Sequence, residues 1–212
     1  GVTQAAGLSL RWFRDNLAEG YKDKAVRLGC DSYDLINQDV EKVPIGSRRL
    51  IYLPYLMGER TPHLNPNCRG VFFGLSAIHT KADMLRAVME GVSYSLLDCF
   101  DILREMKVNV KEMMACGGGG KSRVWRQMLA DMYGCEVKTI KAQEGPALGV
   151  AILAGVGAGI FPDVQTACKE FIEQDTWCQP DAAAHAYYEK GHALYQKLYQ
   201  KLKDCYEDLA AL

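Results

Sequence analysis

The chain has 212 residues, a formal net charge of −1 and 24% charged side chains with no long like-charge block, which fits one or two ordinary domains and excludes the clustered Lys and Arg of a nucleic-acid surface. No run approaches the ~18 apolar residues that read as a membrane span, and the opening GVTQAAGLSLRWFRDNL lacks the basic lead and cleavage site of a secretion signal. Eight cysteines, at 30, 68, 99, 116, 135, 168, 178 and 205, include no C-x-x-C pair and none beside a His at metal-ligand spacing, so the expectation is a cytoplasmic protein with reduced thiols, several of them buried, and no metal-ligand set of its own.

In chain order, Ala5–Leu17 reads as a helix, with Leu8, Trp12 and Leu17 on or near one face and Gly7 at its start. Ser32–Val43 predicts a second short helix, ended by Pro44-Ile45-Gly46. Arg49–Tyr55 is strand-like, with Pro54 closing it or placing it at an edge. Met57–Arg69 is a polar loop without periodicity, and a loop of that length in a compact domain is functional or disordered. Its Gly, Pro and Asn punctuation argues against disorder. Glu59 and Arg60 leave two readings open, a surface ion pair of little consequence or a catalytic role. His63 alone carries no metal signal.

Gly70–Leu75 predicts a short strand bounded by glycines. Thr80-Lys81-Ala82-Asp83 is a capping-box variant, with the Thr side chain accepting the amide at Asp83 and the carboxylate near the positive helix end. A long helix follows to about Met106, with Met84, Val88, Val92, Leu96, Phe100 and Leu103 at helical spacing. Gly91, Ser93 and Ser95 are small enough to let a neighbouring element approach closely.

The organising stretch is Met113–Tyr133, MMACGGGGKSRVWRQMLADMY. It predicts a short buried strand, a turn of four glycines and a helix whose apolar face is Val124, Trp125, Met128, Leu129, Met132 and Tyr133. A glycine turn opening a helix brings backbone N–H groups close to an anion, and the helix dipole favours negative charge there. The plain alternative is tight packing of a helix against a sheet. A second alternative is a P-loop, since Gly120-Lys121-Ser122 ends like G-x-x-x-x-G-K-[ST]. Ala115 stands where that pattern has its first glycine, and the next strand lacks the Asp that helps hold magnesium.

Glu136–Ile140 predicts that next strand, and Glu144-Gly145 falls at its carboxyl end, where α/β sheets hold ligands. Ala147–Ala158 is apolar on every side, which predicts a helix buried on two faces. Phe161-Pro162-Asp163 restarts the chain into a helix through Glu173. Asp181 to about Leu209 is a long amphipathic helix with a stripe of Tyr188, Tyr195, Leu198, Leu202 and Leu209. Helices separated by single strands indicate an α/β fold. About four strands make a thin sheet for so many apolar helices, which predicts that the chain lacks part of its own sheet.

Gly70–Glu90, GVFFGLSAIHTKADMLRAVME, resembles the signature of the FGGY carbohydrate kinases. It has Gly70-x-Phe72-x-Gly74-Leu75, then Asp83-Met84, then Ala87-Val88-Met89-Glu90. Pro54–Pro66, PYLMGERTPHLNP, is most similar to the xylulokinase branch, and CGGGGKSRVWRQMLAD and EGPALGVAILAG resemble the segments that follow in that family. The resemblance runs from Gly7 to about Gly155.

It implies an α/β domain of the actin, Hsp70 and hexokinase type, ribonuclease H-like, with 1–212 as the C-terminal nucleotide-binding domain, incomplete at its first strands. The cofactors implied are ATP and Mg2+, and the substrate a small sugar, most often D-xylulose for this branch. Gly118 and Gly119 would lie against the ATP phosphates, Ser122 near the nucleotide, and Gly7 would approach the phosphates from the first helix. Arg11 stands where some relatives have a nucleotide-contacting Gln, so no role carries over to it. The family's catalytic base is an Asp expected upstream of Gly1, so no catalytic residue is assigned here, and Asp131 and Asp163 are explained by a helix face and a helix start. The partners implied are the N-terminal sugar-binding domain and a homodimer mate, with no nucleic acid and no membrane. The resemblance leaves three alternatives: another FGGY kinase acting on ribulose, gluconate or glycerol, a non-enzymatic actin-like nucleotide-binding module, and the P-loop kinase.

Overall fold

The computed structural model describes residues 2–141 and 145–212. In chain order the elements are α1 (Ala6–Leu17), α2 (Gly20–Leu28), α3 (Ser32–Glu41), a 3-10 turn (Ser47–Arg49), β1 (Ile51–Leu53), β2 (Val71–Phe73), α4 (Lys81–Glu105), β3 (Glu112–Met114), α5 (Gly117–Lys121), α6 (Arg123–Tyr133), β4 (Glu136–Ile140), α7 (Gly145–Gly157), α8 (Val164–Phe171), β5 (Gln174–Cys178) and α9 (Ala182–Ala210). β1 and β2 pair antiparallel. β4 is the middle strand of a second sheet, parallel to β3 and antiparallel to β5.

Local chemistry sets the boundaries. The Thr80 side chain accepts the Asp83 N–H while the Asp83 carboxylate accepts the Thr80 N–H at 2.8 Å, a complete capping box at the start of α4. Asp31, Ser122, Asp163 and Asp181 cap α3, α6, α8 and α9 through their side chains. Gly134 ends α6 at φ 64°, a left-handed conformation that glycine adopts without strain.

α4 is the axis of the core. On one side it packs with α1, α3, β1 and α6 around Phe13, Ile36, Tyr52, Met89 and Met128. On the other, α9 closes a cluster rich in tyrosine, in which the Tyr55 and Tyr195 hydroxyls bond at 2.9 Å. Gly91 is what lets α4 reach β1: a Cβ there would stand 2.1 Å from the Tyr52 carbonyl oxygen.

Several expectations are corrected. The buried face of α1 is Ser9, Leu10 and Phe13, whereas Trp12 and Leu17 are exposed and Leu8 is half-buried; α1 is held against α4, and that neighbour selects the face. α2 has no apolar stripe to announce it in the sequence, since it buries only Ala25. Where a glycine turn leading into one helix was expected, Gly117–Lys121 forms a short helix of its own, α5, ahead of α6. The all-round apolar α7 is not buried on two faces: it packs on α8, burying Ile152 while Val150 and Leu153 stay exposed, because the described residues supply it one wall. The helix expected through Glu173 stops at Phe171, and the strand β5 follows; it pairs with β4, and four of its five residues are exposed, which leaves no apolar alternation in its sequence. Leu209 is exposed, and Tyr206 takes its place in the α9 stripe. Glu144 lies outside the described residues.

Candidate functional site

Gly7, Gly118, Gly119 and Ser122 line one cavity of about 370 Å³, together with Leu10 and Trp125 and, from α3, Asp31, Tyr33, Asp34 and Asn37. A second hollow of about 390 Å³ shares Gly7, Gly118 and Gly119 and continues toward Met113 and Val137 of the second sheet. The four glycine and serine positions singled out in the sequence therefore meet in space. The α3 wall was missed; only the Asp31-Ser32-Tyr33-Asp34 helix start is visible in the sequence, and its approach to the glycines is a matter of tertiary packing.

Each wall is anchored. The Ala115 N–H donates to the Lys138 carbonyl at 2.8 Å, which holds the end of β3 on β4 where the glycines begin. The Arg126 guanidinium donates to the Gly120 carbonyl and ties α5 to α6. The Trp125 indole N–H donates to the buried Ser93 hydroxyl of α4 at 2.9 Å, which fixes the ring under α5. Gly120 is packed so that a Cβ would fall 2.9 Å from the Ala115 carbonyl oxygen, whereas a Cβ on Gly7 or Gly118 would meet no atom within 4 Å. The first two glycines of interest thus border open space, and the last is a packing glycine.

The first turns of α1 and α5 carry no side-chain cap and no acidic residue. Uncapped first-turn N–H groups and the positive end of the helix dipole favour an anion, and two such turns flank this cavity. Lys121 adds a cation at the rim. The α3 wall is acidic, with Asp31 and Asp34, and suits neutral hydroxyl and amine donors better than phosphate. The Ser122 hydroxyl donates to the Asn37 side-chain oxygen at 2.8 Å and accepts the Trp125 N–H at 3.2 Å.

Glu59 is not a surface residue. It is 4% exposed and makes no ion pair with Arg60; its carboxylate accepts the Arg60 and Gln4 backbone N–H groups. Burial pushes its pKa up, against the hydrogen bonds from those N–H groups and from the Ser95 hydroxyl. Asp163 caps α8 at 2.7 Å from the Thr166 nitrogen. Asp131 accepts the Asp181 N–H and the Gln127 amide, and burial raises its pKa in spite of both. Among the described residues no group of three His, Cys, Asp or Glu side chains is placed to hold a metal ion, and no helix is long and apolar enough to cross a membrane.

Residues 1–158 match the C-terminal domain of the FGGY family of carbohydrate kinases. This chain belongs to that family. It is 38% identical to a xylulose kinase of Staphylococcus epidermidis over 212 residues, all of this chain and 41% of the relative. It is 42% identical to a gluconokinase of Bacillus subtilis over 160 residues, 75% of this chain and 31% of that one. A ligand-bound xylulose kinase from Lactobacillus acidophilus superposes with a TM-score of 0.85 at 30% identity, covering 98% of this chain and 40% of that protein. The chain thus spans about two fifths of the length of these xylulose kinases. With its structural neighbours it shares the actin- and hexokinase-like ATPase fold. Residues beyond the family match are still part of the same body, since α9 supplies Tyr188, Tyr195 and Leu198 to the core.

Proposed function

We propose that this chain is the nucleotide-side domain of an ATP-dependent sugar kinase whose substrate is D-xylulose, phosphorylated to D-xylulose 5-phosphate. The observation that carries the reading is the convergence of two uncapped helix starts, with Gly7 and Gly118 bordering open space, on one cavity. In this reading the phosphates of ATP lie between α1 and α5, against Gly7, Gly118 and Gly119, and the nucleoside runs along α3. Phosphoryl transfer is mostly positioning and charge stabilisation, and backbone N–H groups held by the β3–β4 and α5–α6 contacts supply both without a reorganisation at the moment of reaction. ATP supplies the transferred phosphoryl group. Mg2+ accompanies it, and its usual ligands, one or two carboxylates with phosphates and water, ask for no dedicated cage here.

Xylulose is preferred on the Pro54–Pro66 loop and on the Staphylococcus epidermidis xylulose kinase that matches over all of this chain. The second reading is gluconate, favoured by the higher identity to the Bacillus subtilis gluconokinase over its shorter match. ADP release by the full-length protein with xylulose, ribulose, gluconate and glycerol tests both. The expected result is the highest kcat/KM for xylulose, and a higher value for gluconate reverses the assignment. A chain that binds ATP but phosphorylates none of the four supports the non-enzymatic alternative.

A further inference from the structure

Glu59 lines neither hollow, yet its bonds reach the start of α1, which lines both, and α4, which lines the second. One carboxylate oxygen accepts the Gln4 N–H at 2.9 Å, just ahead of α1, and the Arg60 N–H at 2.7 Å. The other accepts the Ser95 hydroxyl of α4 at 3.3 Å, between Val92 and Leu96, which border the second hollow. Beside it the Thr61 hydroxyl accepts the Val2 N–H at 3.2 Å. The loop that carries Glu59 is itself held. Glu59 and Asn65 exchange backbone bonds of 2.9 and 3.1 Å, and the Asn65 side chain accepts the Asn67 and Cys68 N–H groups. Gly58, at φ 74°, lies so near Pro66 that a Cβ would stand 2.8 Å from its carbonyl oxygen.

A buried carboxylate that spends its oxygens on backbone N–H groups fixes the position of those groups. Gly7 follows Gln4 within one helical turn. We propose that Glu59 is a positioning residue: from outside the cavity it sets where Gly7 stands relative to Gly118, and so sets nucleotide affinity. This inference rests on the nucleotide site proposed above. A side chain needed only for folding would leave the affinity of the folded fraction alone, whereas a positioning residue changes that affinity with the phosphoryl-transfer step intact.

The test is ATP kinetics and calorimetric ATP binding in the full-length protein, with wild type, Glu59→Ala and Glu59→Gln. Losing the bond to Gln4 is expected to raise the ATP KM and Kd of Glu59→Ala about tenfold with kcat nearly unchanged. Glu59→Gln keeps an acceptor oxygen for the Gln4 N–H and is expected to restore most of the affinity. Gln4→Pro removes the same N–H from the other end, keeps Glu59, and is expected to raise KM similarly, which covers an alanine variant that does not fold. An unchanged ATP KM in the folded variants overturns the proposal, as does a fall in kcat at constant KM, which would place Glu59 in the transfer chemistry. Glu59→Gln as weak as Glu59→Ala also overturns it. If the wild type binds ATP and only the variants fail to differ, this inference alone falls; if the wild type binds no ATP, the nucleotide reading falls with it.

Discussion

The Ser122 hydroxyl donates to the Asn37 side-chain oxygen at 2.8 Å and at the same time accepts the Trp125 N–H at 3.2 Å. One short side chain thus caps α6 and joins it to α3 across the cavity, which leaves one lone pair for a nucleotide. Ser122→Ala is therefore expected to cost about 1 kcal/mol of stability as a lost N-cap, a fall of roughly 2–4 °C in Tm for a chain of this size. ATP affinity should fall by less than about tenfold, the value of one modest hydrogen bond. Thermal melting and calorimetry on the same preparation separate the two effects. Collapse of ATP binding at an unchanged Tm would show that the hydroxyl serves the nucleotide first.

Gly118 and Gly120 differ in what surrounds them, and the difference gives a matched pair. A Cβ on Gly118 meets no atom within 4 Å, so Gly118→Val is expected to keep its Tm. ATP affinity should fall by roughly ten- to a thousand-fold, if one or two charge-assisted hydrogen bonds of about 1.5–3 kcal/mol are lost. Gly120→Val drives its Cβ into the Ala115 carbonyl and is expected to lose about 1–3 kcal/mol of stability. A Gly118→Val protein that melts normally and binds ATP normally would remove the phosphate role from that glycine.

Lys121→Ala tests the P-loop alternative. In a P-loop the lysine reaches the phosphates, so its loss would collapse binding. Here Lys121 ends α5, exposed at the rim, and the expected change in ATP affinity is a few-fold, of the order of one solvent-exposed charge interaction.

Gly91→Ala is expected to destabilise the domain by ~3 kcal/mol or more. The new Cβ would stand 2.1 Å from the Tyr52 carbonyl oxygen, and relief requires moving α4 away from β1, an overpacking at two backbones. Denaturant unfolding measures it, and a loss under ~1 kcal/mol would contradict the close approach.

Asp83 supplies a pH test. Burial pushes its carboxyl pKa up, but the Thr80 hydroxyl and N–H and the Arg48 guanidinium outweigh that and hold it below the usual carboxylate value of 3.8. A carboxyl whose folded pKa is depressed contributes stability that is present above the unfolded value and is lost as pH falls through the folded one. Asp83→Asn is therefore expected to be less stable than wild type at neutral pH by roughly 1–2 kcal/mol, the worth of a cap. The gap should close below about pH 4 as the wild-type carboxyl protonates. A gap that persists in acid would mean the loss is packing and not charge.

The chain by itself determined its family and the elements that local chemistry specifies. The signature letters of Gly70–Glu90, the Thr80 capping box, the long apolar period of α4 and the glycine run between β3 and α6 are contiguous, and each is legible from neighbours a turn or two away. Gly7 and Gly118 as a pair came from family resemblance; nothing in their spacing connects them. Tertiary structure alone decided which face of α1 is buried, because α4 and not the helix chooses between Leu10 with Phe13 and Leu8 with Trp12. It decided that Glu59 is buried, since the donors that make a buried carboxylate tolerable come from Gln4 and Ser95, far along the chain. It decided the α3 wall for the same reason: Asn37 and Ser122 carry no mutual signal until packing brings a hydroxyl and an amide within 2.8 Å. Burial and hydrogen-bond satisfaction are properties of the whole packed body, and composition along one stretch records them only where the stretch supplies both partners.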